Sequence, residues 1–274
     1  MNAPAALTMP RCSPYAAHAP ADQASGLRRL FAPARRRLLP VAANPFVPGV
    51  QALLETLSAA LAVQGRQVLV VDAAATAPPP HETALFDLAA GVEQLHEQVC
   101  YLAARGVPLA HVDTHGSAAA FVDAAFDAAP QCDLVLLHAD PTDLARMLGQ
   151  RAARPLLLGA DGPDSIKQAY ACCKLLVQRC RWMTFDLVLT APARSRRVGA
   201  IAERLASCAD TFLGAVLHDW AVVDPLADPL AAHDAALARV LAGQLALDDP
   251  GRPAPALPDR PLRTARQGAV PTPF

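Results

Sequence analysis

The sequence lacks long apolar runs and is poor in charged residues. Its 274 residues are 53% hydrophobic and only 18% charged. Its longest apolar stretches, such as Gln67–Val71 and Leu134–Leu137, are far shorter than the roughly 18 residues that a transmembrane helix needs. Alanine, with 60 residues, accounts for most of the high hydrophobic fraction. The composition therefore predicts a compact chain without membrane spans and argues against wholesale disorder.

A secretory signal, a disulfide framework and a strong net charge are also missing. No uninterrupted apolar segment follows a basic N-terminal start, so no signal peptide is expected. The seven cysteines are odd in number and lack the short paired spacing of disulfide scaffolds, which favours reduced thiols. A net charge of −1 gives no overall case for nucleic-acid binding. We therefore expect a cytoplasmic protein with no nucleic-acid partner.

Proline is abundant rather than scarce, and its placement divides the chain. Residues 1–20 and 248–274 combine prolines with no hydrophobic periodicity, which predicts a disordered leader and a disordered tail. Residues 21–37 contain a short helical pattern followed by a basic linker. Residues 1–40 hold six Arg and one Asp, and this charge suggests an arm that serves something other than its own core. The regular pattern of a folded domain covers residues 38–247.

Within that domain, short apolar runs alternate with alanine- and leucine-rich helical stretches. Strands are predicted at Leu38–Ala42, Gln67–Asp72, Leu109–Val112, Leu134–His138, Leu156–Ala160, Asp186–Thr190 and Gly214–Leu217. Helices are predicted at Val50–Gln64, Gly91–Arg105, Ser117–Ala128, Thr142–Ala152, Asp164–Arg179, Arg197–Ala209 and Pro229–Ala246. Strands that alternate with helices and lack polar alternation indicate an α/β fold, with a doubly wound, mostly parallel sheet flanked by helices.

One segment resembles a known family. The stretch Val41–Ala74 aligns without a gap with the MinD/ParA-like deviant Walker ATPases, whose pattern runs from a phosphate loop through a helix to a strand ending in aspartate. The matching positions are Leu57, Leu61, Ala62, Gly65, Val68, Leu69 and Asp72. The resemblance implies a P-loop NTPase-like fold with its phosphate loop directly after the first strand.

The phosphate loop itself departs from the family pattern. Pro45 stands in the place of the family's signature lysine, Val50 in that of the Walker lysine, and Gln51 in that of the hydroxyl residue that binds magnesium. A phosphate loop works because successive backbone N–H groups converge on oxygens where glycines permit close approach. Prolines remove such donors. The degenerate loop comprises Asn44, Pro45, Phe46, Val47, Pro48, Gly49, Val50 and Gln51.

Two further positions have lost the family's charge. His138 stands where the family has the aspartate that senses nucleotide, and Ala74 replaces the second acidic residue after Val71. These losses remove charge compensation, metal and phosphate cradle together. The sequence therefore predicts a pseudo-ATPase with no catalytic residues, no cofactor and no metal. A working ATPase with an unconventional loop stays open as an alternative.

Two motifs resemble one branch of this family, the flagellar number regulators FlhG/FleN. Asp164–Leu176 is similar to the S-I-x-D-A-Y-x-x-I-K-L-L segment of that branch. Asp22–Arg28 matches its N-terminal motif D-Q-A-x-x-L-R at every specified position. In that branch the motif forms a helix that docks on the flagellar SRP-type GTPase FlhF and stimulates GTP hydrolysis. The resemblance assigns partner binding to Asp22, Gln23, Ala24, Leu27, Arg28, Leu30 and Phe31.

The resemblance also sets expectations for partners and location. It implies a regulator of flagellar number or placement, recruited to the cell pole or flagellar base through FlhF. Flagellar switch or regulator proteins are implied as further partners of the core. The amphipathic stretch Leu230–Leu247 lacks the basic face of a membrane anchor, so we expect weak or no membrane binding. Because the predicted pseudo-ATPase cannot form the family's ATP-bridged dimer, we expect a monomer. A degenerate MinD-like adaptor in another polar assembly or secretion system is the remaining alternative.

Overall fold

The computed structural model of the protein describes residues 36–149, 151–192, 195–228 and 234–247. The strands are β1 Arg37–Ala42, β2 Val68–Asp72, β3 Val92–His96, β4 Val99–Ala103, β5 Leu134–Ala139, β6 Leu156–Ala160, β7 Thr184–Thr190 and β8 Val216–Val223. The α-helices are α1 Val50–Val63, α2 Ala119–Ala128, α3 Pro141–Leu148, α4 Pro163–Cys180, α5 Val198–Leu213 and α6 Ala235–Leu245. Short 3₁₀ helices cover Glu82–Leu85, Leu88–Gly91 and Val107–His111.

The eight strands form one sheet in the order β3-β4-β2-β5-β1-β6-β7-β8. All neighbouring strands run parallel except β3 and β4, which are antiparallel. The central strands β5 and β6 are buried along their whole length, as continuous apolar runs require when both faces of a sheet are covered. The predicted fold class, a doubly wound and mostly parallel sheet flanked by helices, is confirmed.

Two apolar cores lie on opposite faces of the sheet. On one face, Leu57 of α1 and Leu241 of α6 pack against strand residues such as Leu136. On the other face, Phe121 of α2 and Leu176 of α4 belong to the larger core, together with residues of α3 and α5. Alternate residues of each strand therefore face different helices, and this alternation decides which polar side chains meet at the strand ends.

The predicted helix Gly91–Arg105 is wrong, because this segment forms the hairpin of β3 and β4. All five residues of β4 are in register with β2, which places Val99, Cys100 and Leu102 in the buried interior. The helix-favouring residues of β3 are mostly exposed at the sheet edge. Pairing with β2 thus overrides the local helix propensity of the segment.

Two smaller predictions also need correction. The predicted strand Leu109–Val112 is wrong, because this segment belongs to the 3₁₀ helix Val107–His111, whose first turn contains Pro108. The last strand does not end at Leu217 but continues to Val223 alongside β7. Its polar residues include His218 and Asp219, which contact a buried carboxylate described below.

A buried charged cluster attaches α6 to the sheet. The Asp186 carboxylate is fully buried at the start of β7 and lies 2.9 Å from Arg154 Nε. Gln244 of α6 donates from Nε2 to Asp186 Oδ2 at 2.6 Å, His218 Nδ1 lies 3.2 Å from Oδ1, and the backbone N–H of Asp219 donates to Oδ1 at 3.1 Å. Desolvation raises the pKa of Asp186, and the charges of Arg154 and His218 partly offset that rise.

Several predicted regions lie outside the described residues. These are the leader at 1–20, the docking segment at 21–31 and the tail at 248–274. Their assignment, like the 38–247 bounds of the domain, stays a prediction; β1 begins at Arg37, one residue earlier than those bounds. Among the described residues, no helix combines the length and apolar character needed to cross a membrane.

Candidate functional site

The predicted site positions meet at the carboxyl ends of three adjacent strands. β5 lies between β1 and β2, so the loop after β1, Asp72 at the end of β2 and His138 near the end of β5 share one edge of the sheet. The register pairs His138 with Asp72 on one side and with Val41 on the other. In doubly wound sheets this edge is where ligands bind.

The loop after β1 has few free backbone donors. Pro45 and Pro48 have no N–H group. The N–H of Phe46 donates to Asn44 Oδ1 at 3.1 Å, and the N–H of Val47 donates to the Asn44 carbonyl at 3.1 Å. Over residues 45–48, every backbone N–H is therefore either absent or already bonded within the loop. Residues 45–48 therefore direct no free amide at a phosphate oxygen, unlike the corresponding part of a phosphate loop.

Asn44 holds this loop onto the neighbouring strand and helix. Its side chain is buried, and Nδ2 donates to the carbonyl of Leu158 at 2.8 Å and to the carbonyl of Ser165 at 2.9 Å. Ser165 Oγ lies 3.1 Å from the same nitrogen and accepts from the N–H of Ala160 at 2.9 Å. The loop is thereby tied to β6 and to the first turn of α4.

The turn into α1 is shaped by an apolar residue and a glycine. Val47 is buried among the residues of the α1-side core, whereas Phe46 is half exposed. Gly49 adopts φ +66°, a left-handed conformation that glycine tolerates best, and α1 begins at the next residue. That residue, Val50, packs against the same core instead of presenting a cation.

A second group of polar side chains surrounds Asp72. Its carboxylate is fully buried, and Gln51 Nε2 donates a hydrogen bond to Oδ2 at 2.9 Å. His138 Nδ1 lies 2.7 Å from Oδ1, and the Tyr101 hydroxyl donates to Oδ2 at 3.4 Å. Desolvation and the charge of Asp72 raise the pKa of Tyr101, which keeps the phenol protonated as a donor. We call Gln51, Asp72, Tyr101 and His138 the Asp72 cluster.

The Asp72 cluster leaves little for a nucleotide to use. Gln51, at the position expected for a magnesium-binding hydroxyl, instead donates to Asp72. His138, at the position of a nucleotide-sensing aspartate, also contacts Asp72 and is buried. Its Nε2 atom is buried and has no hydrogen-bond partner among the described residues. Residues 45–51 therefore supply no cation, and the Asp72 carboxylate is already bonded to three side chains, so these residues do not fit a magnesium-bound triphosphate.

The structure brings together some of the residues that the sequence singled out, and it shows contacts of others that the sequence did not indicate. Gln51, Asp72 and His138 were singled out separately, and the structure brings them together. Asn44 was recognised only as a loop member, although its side chain makes the loop's long-range hydrogen bonds. Tyr101 was placed in a predicted helix, and no signal in the sequence connected it with Asp72. The predicted partner-binding residues, from Asp22 to Phe31, lie outside the described residues.

Comparison with known proteins identifies the fold. No protein-family model matches the sequence, and no curated protein matches it. Among solved structures, the chain is similar to MinD cell division protein of Aquifex aeolicus, with 15% identity, a TM-score of 0.52, and coverage of 76% of this chain and 97% of that chain. A plasmid partition protein of Borrelia burgdorferi matches with 8% identity, a TM-score of 0.53, and coverage of 76% and 98%.

A third structure extends the likeness to a biosynthetic enzyme. Cobyrinic acid a,c-diamide synthase of Mycobacterium smegmatis, solved with a bound ATP analog and magnesium, matches with 16% identity and a TM-score of 0.54. The match covers 79% of this chain and 97% of that chain. At these identities the likeness shows the fold alone. The chain thus has the fold of ParA/MinD-type P-loop ATPases, as expected from the Val41–Ala74 resemblance.

Proposed function

We propose that this protein regulates flagellar number or placement by docking residues 21–31 on the SRP-type GTPase FlhF and stimulating its GTP hydrolysis. The core domain then acts as a pseudo-ATPase of ParA/MinD-type fold. The observation that carries the pseudo-ATPase proposal is the loop after β1, where residues 45–48 offer no free backbone N–H. The internally bonded Asp72 cluster supports it.

The partner proposal depends on sequence. Asp22, Gln23, Ala24, Leu27 and Arg28 reproduce the D-Q-A-x-x-L-R motif of the FlhG/FleN regulators. A segment of this length is too short to persist as an isolated helix in water, but it can fold against the groove of a partner. Gln23 could orient water at a nucleotide, as glutamines do in other GTPases. Because the proposed core does not hydrolyse ATP, the regulatory activity in this proposal belongs to residues 21–31 rather than to the core.

Two alternative functions differ from this proposal in the ligands that the protein would bind. An active ATPase with an unconventional loop would bind ATP and magnesium. A degenerate adaptor in another polar assembly or secretion system would bind neither ATP nor FlhF. The two experiments below separate all three.

We expect ATP and magnesium to leave the thermal stability of the protein unchanged. A ligand at 100 times its Kd adds about 2.7 kcal/mol to the free energy of unfolding, which would raise Tm by roughly 5 to 10 °C. Differential scanning fluorimetry with millimolar ATP and Mg²⁺ measures this, with an active MinD-type ATPase as the positive control. A reproducible upward shift of several degrees would contradict the pseudo-ATPase proposal and favour the first rival.

We expect the full-length protein to accelerate GTP hydrolysis by FlhF. Gln23→Ala and Leu27→Ala should each reduce that acceleration by about tenfold or more, because they remove a water-orienting amide and an apolar anchor. Ser25→Ala is the matched control, since it lies at an unspecified position of the motif and should change nothing. Absence of any acceleration by the unaltered protein would refute the proposed function.

A further inference from the structure

An exposed groove with both polar and apolar lining lies beside α2, away from the strand ends that carry the Asp72 cluster. Its cavity has a volume of about 400 Å³. The residues that matter here are Leu85, Phe86, Leu88, Ala124, Asp127 and Ala128. Leu85 is 59% exposed and Phe86 95% exposed. Two large, exposed apolar side chains beside a cavity are typical of an interaction surface.

The first described residue lies against the same helix. Arg36 Nη1 is 2.8 Å from Asp127 Oδ1, and its guanidinium carbon lies 5.5 Å from the ring centroid of Phe126. Asp127 also lines the groove. Any chain that precedes Arg36 is therefore attached to the core within one side chain's reach of the groove.

The covalent distance between the docking segment and the groove is short. Arg36 follows Phe31 by five positions, a stretch of chain that spans at most about 18 Å when fully extended. A partner that binds residues 21–31 is therefore tethered within that distance of Arg36, whose side chain contacts the groove residue Asp127. We propose that the partner which binds residues 21–31 makes a second contact in this groove. The inference rests on the proposed function, because it takes that partner to be the FlhF-type GTPase.

The residues that line the groove indicate which partner side chains fit there. Leu85 and Phe86 offer apolar surface, and the charged side chains that line the groove are Asp87 and Asp127, beside His111. The exposed ion pair of Asp127 with Arg36 contributes little to stability, so Asp127 can pair with a cationic side chain of the partner instead. The groove fits a partner helix that presents a large apolar side chain next to a lysine or arginine.

A second contact changes affinity without changing the activating segment. Two linked contacts bind more tightly than either does alone, because the first raises the effective concentration of the second. The full-length protein should therefore bind the GTPase at least about tenfold more tightly than a peptide of residues 20–34. The maximal stimulation at saturation should be the same for both, since residues 21–31 produce it.

The experiment measures GTPase binding and stimulation for the peptide, the full-length protein and two variants. Phe86→Ser should weaken binding of the full-length protein about tenfold, toward that of the peptide, and leave saturated stimulation intact. Leu226→Ser is the matched control, because Leu226 is 91% exposed elsewhere on the surface, and it should bind like the unaltered protein.

The outcomes separate the two proposals. If the unaltered protein neither binds nor stimulates the GTPase, the proposed function is wrong and this inference fails with it. If it stimulates but Phe86→Ser binds equally tightly, only the second contact is overturned. If Phe86→Ser instead abolishes self-association in sedimentation while GTPase affinity stays unchanged, the groove belongs to a second copy of the chain and the inference is likewise overturned.

Discussion

His138→Asp should unfold at a markedly lower denaturant concentration than the unaltered protein at pH 7. The substitution restores the acidic residue that the ATPase family has at this position. It also places a second carboxylate beside Asp72, in a site where both positions are essentially inaccessible to solvent. Breaking a buried pair and leaving an uncompensated charge costs about 3 to 5 kcal/mol. We therefore expect the free energy of unfolding to fall by that amount.

The loss should be relieved by acid. In the variant, two adjacent carboxyls share a buried site, so the pKa of one of them rises in the folded state above its value in the unfolded chain. Stability then declines as pH rises through the unfolded value of about 4 toward the raised folded value. The variant should therefore lie closer to the unaltered protein at pH 5 than at pH 7.

His138→Asn is the matched control for charge. Asparagine has nearly the shape of aspartate and leaves a similar cavity, but it is neutral and can donate from Nδ2 to Asp72. Urea unfolding at pH 7 and pH 5 should place its midpoint above that of His138→Asp at pH 7. Equal midpoints for the two variants at pH 7 would show that the Asp72 cluster does not depend on the charge at position 138.

The sheet was predictable because its central strands carry their signal locally. β5 and β6 are largely apolar runs of six and five residues, a length and pattern that favour a strand covered on both faces. The hairpin of β3 and β4 was not predictable in this way. Residues 91–105 contain good helix formers, and the decision for strand comes from pairing with β2, thirty residues earlier in the chain.

The site was predictable in its members but not in its contacts. Alignment with the family pattern identified Gln51, Asp72 and His138 one at a time. These three side chains lie close together because of the register of β2 against β5 and the face of the sheet that each residue occupies. The hydrogen bonds of Asn44 reach residues 114 and 121 positions away, and no local pattern encodes such partners.

Substitutions in the buried pair of Arg154 and Asp186 should also lower the free energy of unfolding strongly. Asp186 is completely buried, and Arg154 is 8% exposed. The Arg154 Nε atom is 2.9 Å from the carboxylate, but its N–H is not directed at an oxygen, and Nη2 has no hydrogen-bond partner among the described residues. The attraction is therefore mainly between charges, so either partner left alone becomes an unpaired charge in the interior.

Arg154→Met and Asp186→Asn should each lower the free energy of unfolding by about 3 to 5 kcal/mol. The arginine variant should recover part of this loss in acid. Without Arg154, the desolvation that already raises the pKa of Asp186 is offset less, so the carboxyl is neutral in the fold over a wider acidic range. His218 and Gln244, which also contact the carboxylate, remain in place.

The double variant distinguishes coupling from simple loss of packing. Arg154→Met combined with Asp186→Asn leaves a neutral interior, with asparagine still able to accept from the N–H of Asp219. We expect it to be no less stable than the worse single variant, with a coupling free energy of about 2 kcal/mol or more. Chemical denaturation of all four proteins at pH 7 measures this. Additive losses would mean that α6 is held by Gln244 and apolar packing alone, and that the buried charges act independently.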